Sequence, residues 1–406
     1  MRFLILLYVL VSTTPLTMAQ KAPSPETLAK AKKLADQFII TDGHVDLPFR
    51  LKVRRFQLDR EYTGIPIQSA DGDFDYRRAK AGGLDAPFMS IYIPASYDPA
   101  GGRQLADSLI RMVNWIADQN PTYFEVAHTP DDLVRIKKTG KLALPMGMEN
   151  GSPITELAHI KAYRTKGISY ITLTHGKDNQ LGDSSYDTTG TWKGLSPFGK
   201  QVVEEMMKVG IMVDISHVSD RTFHQVLDMV KVPVIASHSS ARKFTPGFER
   251  NMADDMIRRM RQNKGVIMVN FGSTFVDGEV TKKRAEHQKK LTEFLKTKGI
   301  ASARDEAAKP FIQEFNQISP PIFADVERVA DHIDHIVALA GIDHVGFGSD
   351  FDGVGDSLPT GLKDVSDYPN LIAVLLQRGY SEKDIEKICG GNLLRVWREV
   401  LAHASN

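Results

Sequence analysis

The chain has 406 residues, 42% hydrophobic and 25% charged, which is an ordinary globular composition. Its formal net charge is +1 with no long block of one sign, which argues against a nucleic-acid surface and gives no support to an anionic membrane partner. A single cysteine, Cys389, rules out an internal disulfide, and its apolar helical setting reads as core packing.

The first residues, "MRFLILLYVLVSTTPLTMAQ", read as a secretory signal over 1–19. Arg2 supplies the positive end, Phe3 to Val11 the apolar core, and "TMA" before Gln20 the cleavage site. The expected mature chain, 20–406, is one catalytic domain, exported to the periplasm or secreted. The tail "LAHASN" carries no lipid-anchor signal.

Eight short apolar runs follow, rich in β-branched residues: 38–44, 86–94, 142–149, 168–175, 210–217, 232–239, 265–272 and 344–351. Near-continuous apolarity suits parallel strands covered on both faces. Helical patterns lie between most of them. In 103–119, Leu105, Leu109, Met112, Val113 and Ile116 share one face. The pattern at 196–210 opens on a Ser196 cap followed by Pro197 and ends at Gly210. Others cover 219–230, 253–265 and 324–341. This alternation predicts an α/β fold, a (β/α)8 TIM-type barrel. A doubly wound open sheet is the alternative, but no Gly-rich phosphate loop follows the first strand. About 70 residues separate the seventh and eighth runs, far more than a crossover needs. A helical insertion at about 273–322 is expected there, including the charged pattern 279–299.

Polar residues fall where these strands end. The first run ends in His44 and Asp46, two residues apart and so on one side of a strand. Glu149 ends the third, His175 the fourth, His217 the fifth, His238 the sixth and Asp350 the eighth. The carboxyl ends of barrel strands form the active face, so these residues should converge. His44, Asp46, Glu149, His217 and His238 make a plausible metal set, suited to zinc or otherwise to manganese, iron or cobalt. Five ligands are too many for one open tetrahedral ion and right for two, with Glu149 as the candidate bridge. Such a pair holds a shared water of lowered pKa.

At these residues the chain resembles the membrane dipeptidase family, through "DGHVDLP", "GMENG", "LTHGKDN", "DISHVS", "ASHSSAR", "ERNMADD", "GFGSDFDG" and "NLLRVW" in order. The resemblance runs from about residue 36 to the C-terminus. It implies a binuclear zinc barrel hydrolysing dipeptides, often with a D-residue at the C-terminal position. Two Zn2+ per chain are implied, His44 and Asp46 on one, His217 and His238 on the other, and Glu149 between. Asp350 would be the acid/base near a bridging hydroxide, His175 would steady the oxyanion, and Arg250 would face the substrate carboxylate. A homodimer is usual for such relatives. The 273–322 insertion is longer than in the mammalian members. The alternative is a related metal-dependent barrel amidohydrolase acting on N-acyl amino acids, lactones or phosphotriesters. Many of those use a carbamylated lysine as bridge, and only Lys177 lies near a strand end here. A scaffold or binding protein on a barrel frame would be expected to have lost some of the five ligand positions.

Overall fold

The computed structural model describes residues 22–53, 66–97, 102–303 and 305–404 of the chain. The expected signal at 1–19 lies outside them. Among the described residues no helix is long and apolar enough to cross a membrane.

Eight parallel strands close into a barrel in chain order. They are β1 (Ile40–Val45), β2 (Leu84–Tyr92), β3 (Met146–Glu149), β4 (Ile168–Thr172), β5 (Met212–Asp214), β6 (Ile235–Ala236), β7 (Val266–Val269) and β8 (Val345–Phe347). β8 pairs with β1 through Asp42 and Phe347, which completes the ring. This is the (β/α)8 architecture that the alternation predicts. Every residue of these barrel strands is buried except Tyr92, as expected of strands covered on both faces.

The expected helices form at Gly102–Gln119, Pro197–Val209, Asp220–Met229, Asp254–Asn263 and Val326–Ala340. Ser196 caps its helix by accepting from the Gly199 amide, and Gly210 ends it at a φ of 76°. The insertion is helical at Ser273–Val276, Gly278–Thr297 and Lys309–Ile318.

Two features depart from the expected pattern. The third run is two strands, because Pro145 interrupts it: Leu142–Leu144 leaves the barrel and pairs with Phe124–Val126, and only Met146–Glu149 joins β2 and β4. A helix at Pro25–Gln37 also precedes the barrel, capped by Ser24.

Within the barrel, Tyr170 occupies the space left by Gly147, where a Cβ would stand 1.9 Å from the tyrosine Cζ. Its ring lies 5.6 Å from that of Phe88, which lies 5.4 Å from Trp397 in the closing helix Asn392–Ala404. This column of rings ends at the Tyr170 hydroxyl, 2.9 Å from His44 Nδ1. The apolar core therefore sets the floor on which the polar residues stand.

Candidate metal centre and active site

Strand register brings the site together. Tyr92 is level with Glu149, Glu149 with Thr172, and Thr172 with Asp214. Asp214 is level with Ile235, so His217 and His238 each lie three residues beyond a matched pair. Asn150, His217 and Asp350 all adopt positive φ, 78°, 67° and 63°. Such backbone costs of order 1–3 kcal/mol per residue and persists only where the surroundings impose it. Here it turns the chain sharply at the top of β3, β5 and β8.

Glu149 is at the centre. Its Oε2 lies 3.3 Å from His44 Nε2, and its Oε1 lies 3.0 Å from His217 Nε2 and 3.2 Å from His238 Nε2. Asp46 Oδ2 is 3.5 Å from His44 Nε2, and His175 Nε2 is 3.7 Å from Glu149 Oε1. Two ligands bonded to one tetrahedral zinc are themselves about 3.3 Å apart, so most of these spacings suit a shared ion. The 2.7 Å between His217 Nε2 and His238 Nε2 is tighter. Three groups of possible ligands overlap: His44, Glu149 and His238; Glu149, His175 and His217; His44, Asp46 and Asp350.

The donor set is also left wanting a cation. His44 Nε2 and Asp46 Oδ1 are buried and without hydrogen-bond partners, which is costly unless something fills the site. Burial, reinforced by the Arg250 charge, holds the imidazoles of His217 and His238 well below their usual pKa, so both keep a free electron pair. Burial alone would raise the Glu149 carboxyl, but the imidazoles around it outweigh that and hold it ionised. Burial opposes a proton on His44, yet Tyr170, Glu149 and Asp46 together draw positive charge to it. The residues present fit a metal centre built around Glu149.

The ligand candidates are themselves oriented. His44 Nδ1 meets the Tyr170 hydroxyl, which donates to the Gly43 carbonyl at 3.0 Å. His238 Nδ1 meets Ser237 Oγ at 2.7 Å, and that hydroxyl donates to Asp214 at 2.6 Å. Partners of this kind fix the ring and its tautomer. Asp350 accepts a 2.8 Å bond from Asn270, and burial first, then the nearby Asp46 and Glu149 carboxylates, hold its pKa well above the ordinary value. Arg250 is buried; it donates to Ser239 Oγ at 2.8 Å and to the His238 carbonyl at 2.7 Å, with Nε unpartnered.

All eight residues singled out in the sequence thus surround one cup. Asp352, which begins the turn, instead pairs with Arg50 at 3.2 Å. Missed in the sequence were Tyr92, whose ring packs 4.7 Å from His175, and Asn270, Tyr170 and Asp214. Tyr92 is the last residue of β2 and Asn270 directly follows β7, so their place near a strand end was a usable signal.

A family model described as membrane dipeptidase, peptidase family M19, matches residues 28–406. Dipeptidase tcpJ of Claviceps purpurea is 32% identical over 372 residues, covering 88% of this chain and 76% of that protein. An uncharacterized dipeptidase of Schizosaccharomyces pombe is 33% identical over 391 residues, covering 91% and 82%. Among solved structures, the probable dipeptidase PvdM from Pseudomonas aeruginosa superposes with a TM-score of 0.77 at 26% identity, covering 94% of this chain and all of that one.

Proposed function

This chain belongs to the membrane dipeptidase family and is a metallo-dipeptidase, and from that premise we propose that it is a binuclear zinc enzyme in which Glu149 bridges the two ions. The substrates are L-Xaa-L-Xaa dipeptides together with L-Xaa-D-Xaa dipeptides. His44 and Asp46 serve one Zn2+, and His217 and His238 the other. The observation that carries this reading is the division of the Glu149 carboxylate, one oxygen towards His44 and the other towards His217 and His238.

When bound, the ions would lower the pKa of the attacking water and polarise the scissile carbonyl. The remaining work belongs to side chains. His175, whose pKa is lowered chiefly by burial, is a neutral donor for the carbonyl oxygen as charge develops there. Asp350, its carboxyl raised by burial, takes the nucleophile's proton and returns it to the leaving amine. Arg250 receives the C-terminal carboxylate, since its bonds to Ser239 Oγ and the His238 carbonyl use two of five N–H donors. A clamp at that distance favours dipeptides, in which the carboxylate lies one residue from the scissile bond.

The same reading takes residues 20–406 as one catalytic domain behind a cleaved signal, acting outside the cytoplasm as a homodimer. Metal analysis of purified protein tests the core of it. About two zinc ions per chain are expected, with activity on L,L- and L,D-dipeptides lost to a chelator and restored by zinc. His217→Ala should lose one ion and turnover together, and full activity in that variant refutes the assignment.

A further inference from the structure

Three aromatic rings from three separate loops meet beside Arg250. Tyr186 comes from the loop after β4, Phe248 from the loop after β6, and Phe275 from the first helix of the insertion. The Arg250 guanidinium carbon lies 5.7 Å over the Phe275 ring. Phe275 lies 5.8 Å from Phe248, and Phe248 lies 6.1 Å from Tyr186. Tyr186 closes the arc 5.8 Å from His217. None of the three is buried in the core: Tyr186 is 43% exposed, and the other two are half-buried. They form an apolar rim on the guanidinium side of the cup.

The rim is also held in place. Asn251, next to Arg250, donates through Nδ2 to the Phe275 carbonyl and to Thr245 Oγ1, both at 2.7 Å. Arg328 fixes the next turn of the insertion through Asp277 at 2.9 Å. The insertion therefore touches the site by its first turn.

We propose that Tyr186, Phe248 and Phe275 form the pocket for the side chain of the substrate's C-terminal residue and select apolar, above all aromatic, residues there. This rests on the dipeptidase reading, in which Arg250 takes the C-terminal carboxylate. The side chain leaves the same carbon that bears that carboxylate, so it lies beside the clamp and against the rings. Edge-to-face and offset contacts with such rings favour an aromatic partner beyond its simple area. A glycine in that position offers the rim nothing.

The test compares kcat/KM of the zinc-loaded enzyme on L-Ala-Gly, L-Ala-L-Ala and L-Ala-L-Phe, with the D-Ala and D-Phe forms alongside. In the wild type the phenylalanine dipeptide of the accepted configuration should exceed L-Ala-Gly by on the order of tenfold or more. The ratio should fall several-fold in Phe275→Ala and in Phe248→Ala, mainly through KM, while Phe275→Tyr retains it. The same order is expected for equilibrium binding of the product amino acids, phenylalanine above glycine. A wild-type ratio near one, or a ratio unchanged in both alanine variants, overturns the pocket and leaves the dipeptidase reading standing. Failure to cleave any dipeptide removes that reading itself.

Discussion

At Gly353 the carboxylates of Asp350 and Asp46 leave no room for a side chain. A Cβ there would stand 2.1 Å from Asp350 Oδ1 and 2.2 Å from Asp46 Oδ2, both far inside contact distance. The turn that carries it is clamped from below. Asp352 accepts from the Asp73 amide at 2.6 Å, Asp73 accepts from the Asp352 amide at 2.8 Å, and Arg50 pairs with Asp352. The carboxylates cannot move aside without breaking this lattice or leaving the cup. Gly353→Ala should therefore displace Asp350 or Asp46 and lower kcat by at least about a hundredfold, the cost of a misplacement of roughly 1 Å. Steady-state kinetics with metal analysis checks this, and wild-type kcat with a full zinc complement would show that the pocket yields. The glycine is in the sequence, within "GSDFDG", but its steric role is a through-space property of two strands 300 residues apart. His44, Asp46, Glu149, His175, His217, His238 and Asp350 were legible because a strand end is a position that the apolar pattern marks. Tyr170 and Asp214 were not, because inside a run they look like any other strand residue until the partner imidazole is known.

Elements were legible where their periodicity was long and their ends were chemically marked. The helix from Pro197 to Val209 carries a serine cap and a glycine stop, and both act as the residue types require. The third run misled because an eight-residue apolar window does not reveal that one proline sends its halves to different sheets. In the insertion, the charged pattern hides a small core. Leu291, Leu295, Ala308 and Phe315 cluster apart from the barrel's own core. Arg284 ties its base by donating to the Ile322 carbonyl at 2.7 Å and the Asp356 carbonyl at 2.5 Å. An element held by so few apolar groups should open on its own. Phe315→Ala is expected to cost about 3 kcal/mol locally. Hydrogen exchange should accelerate across 278–318 while the barrel strands keep their protection. Uniform loss of protection throughout the barrel would show instead that insertion and barrel unfold as one unit.

Across the whole molecule, His332 joins parts that the site depends on. It is fully buried in the helix Val326–Ala340. Its Nδ1 accepts from the Ala241 amide at 2.9 Å, and its Nε2 donates to the Val276 carbonyl at 2.9 Å. The loop that bears Arg250 and the insertion turn that bears Phe275 are thereby pinned to one helix. Only the neutral ring with its proton on Nε2 satisfies both bonds, because a proton on Nδ1 would face the Ala241 N–H. Burial, with Arg328 adding repulsion, pushes the His332 pKa down to about 3. In the unfolded chain it titrates near the ordinary 6.5. Above pH 6.5 the ring is neutral in both states and this site takes nothing from stability. Below that, the unfolded chain binds a proton that the native state refuses, so stability falls with pH until about 3 is approached. The slope from this residue is at most about 1.4 kcal/mol per pH unit, or roughly 2 kcal/mol by pH 5. Burial also holds the imidazoles of His217 and His238 below their ordinary value, so the total loss does not isolate it. His332→Gln keeps an acceptor and a donor but has no proton to gain. Urea unfolding at pH 7.5 and pH 5.0 should show a loss smaller in the variant by about that amount, at matched zinc. Equal losses in the two proteins would mean that the native state accommodates the imidazolium, and that this junction is not what acid loosens.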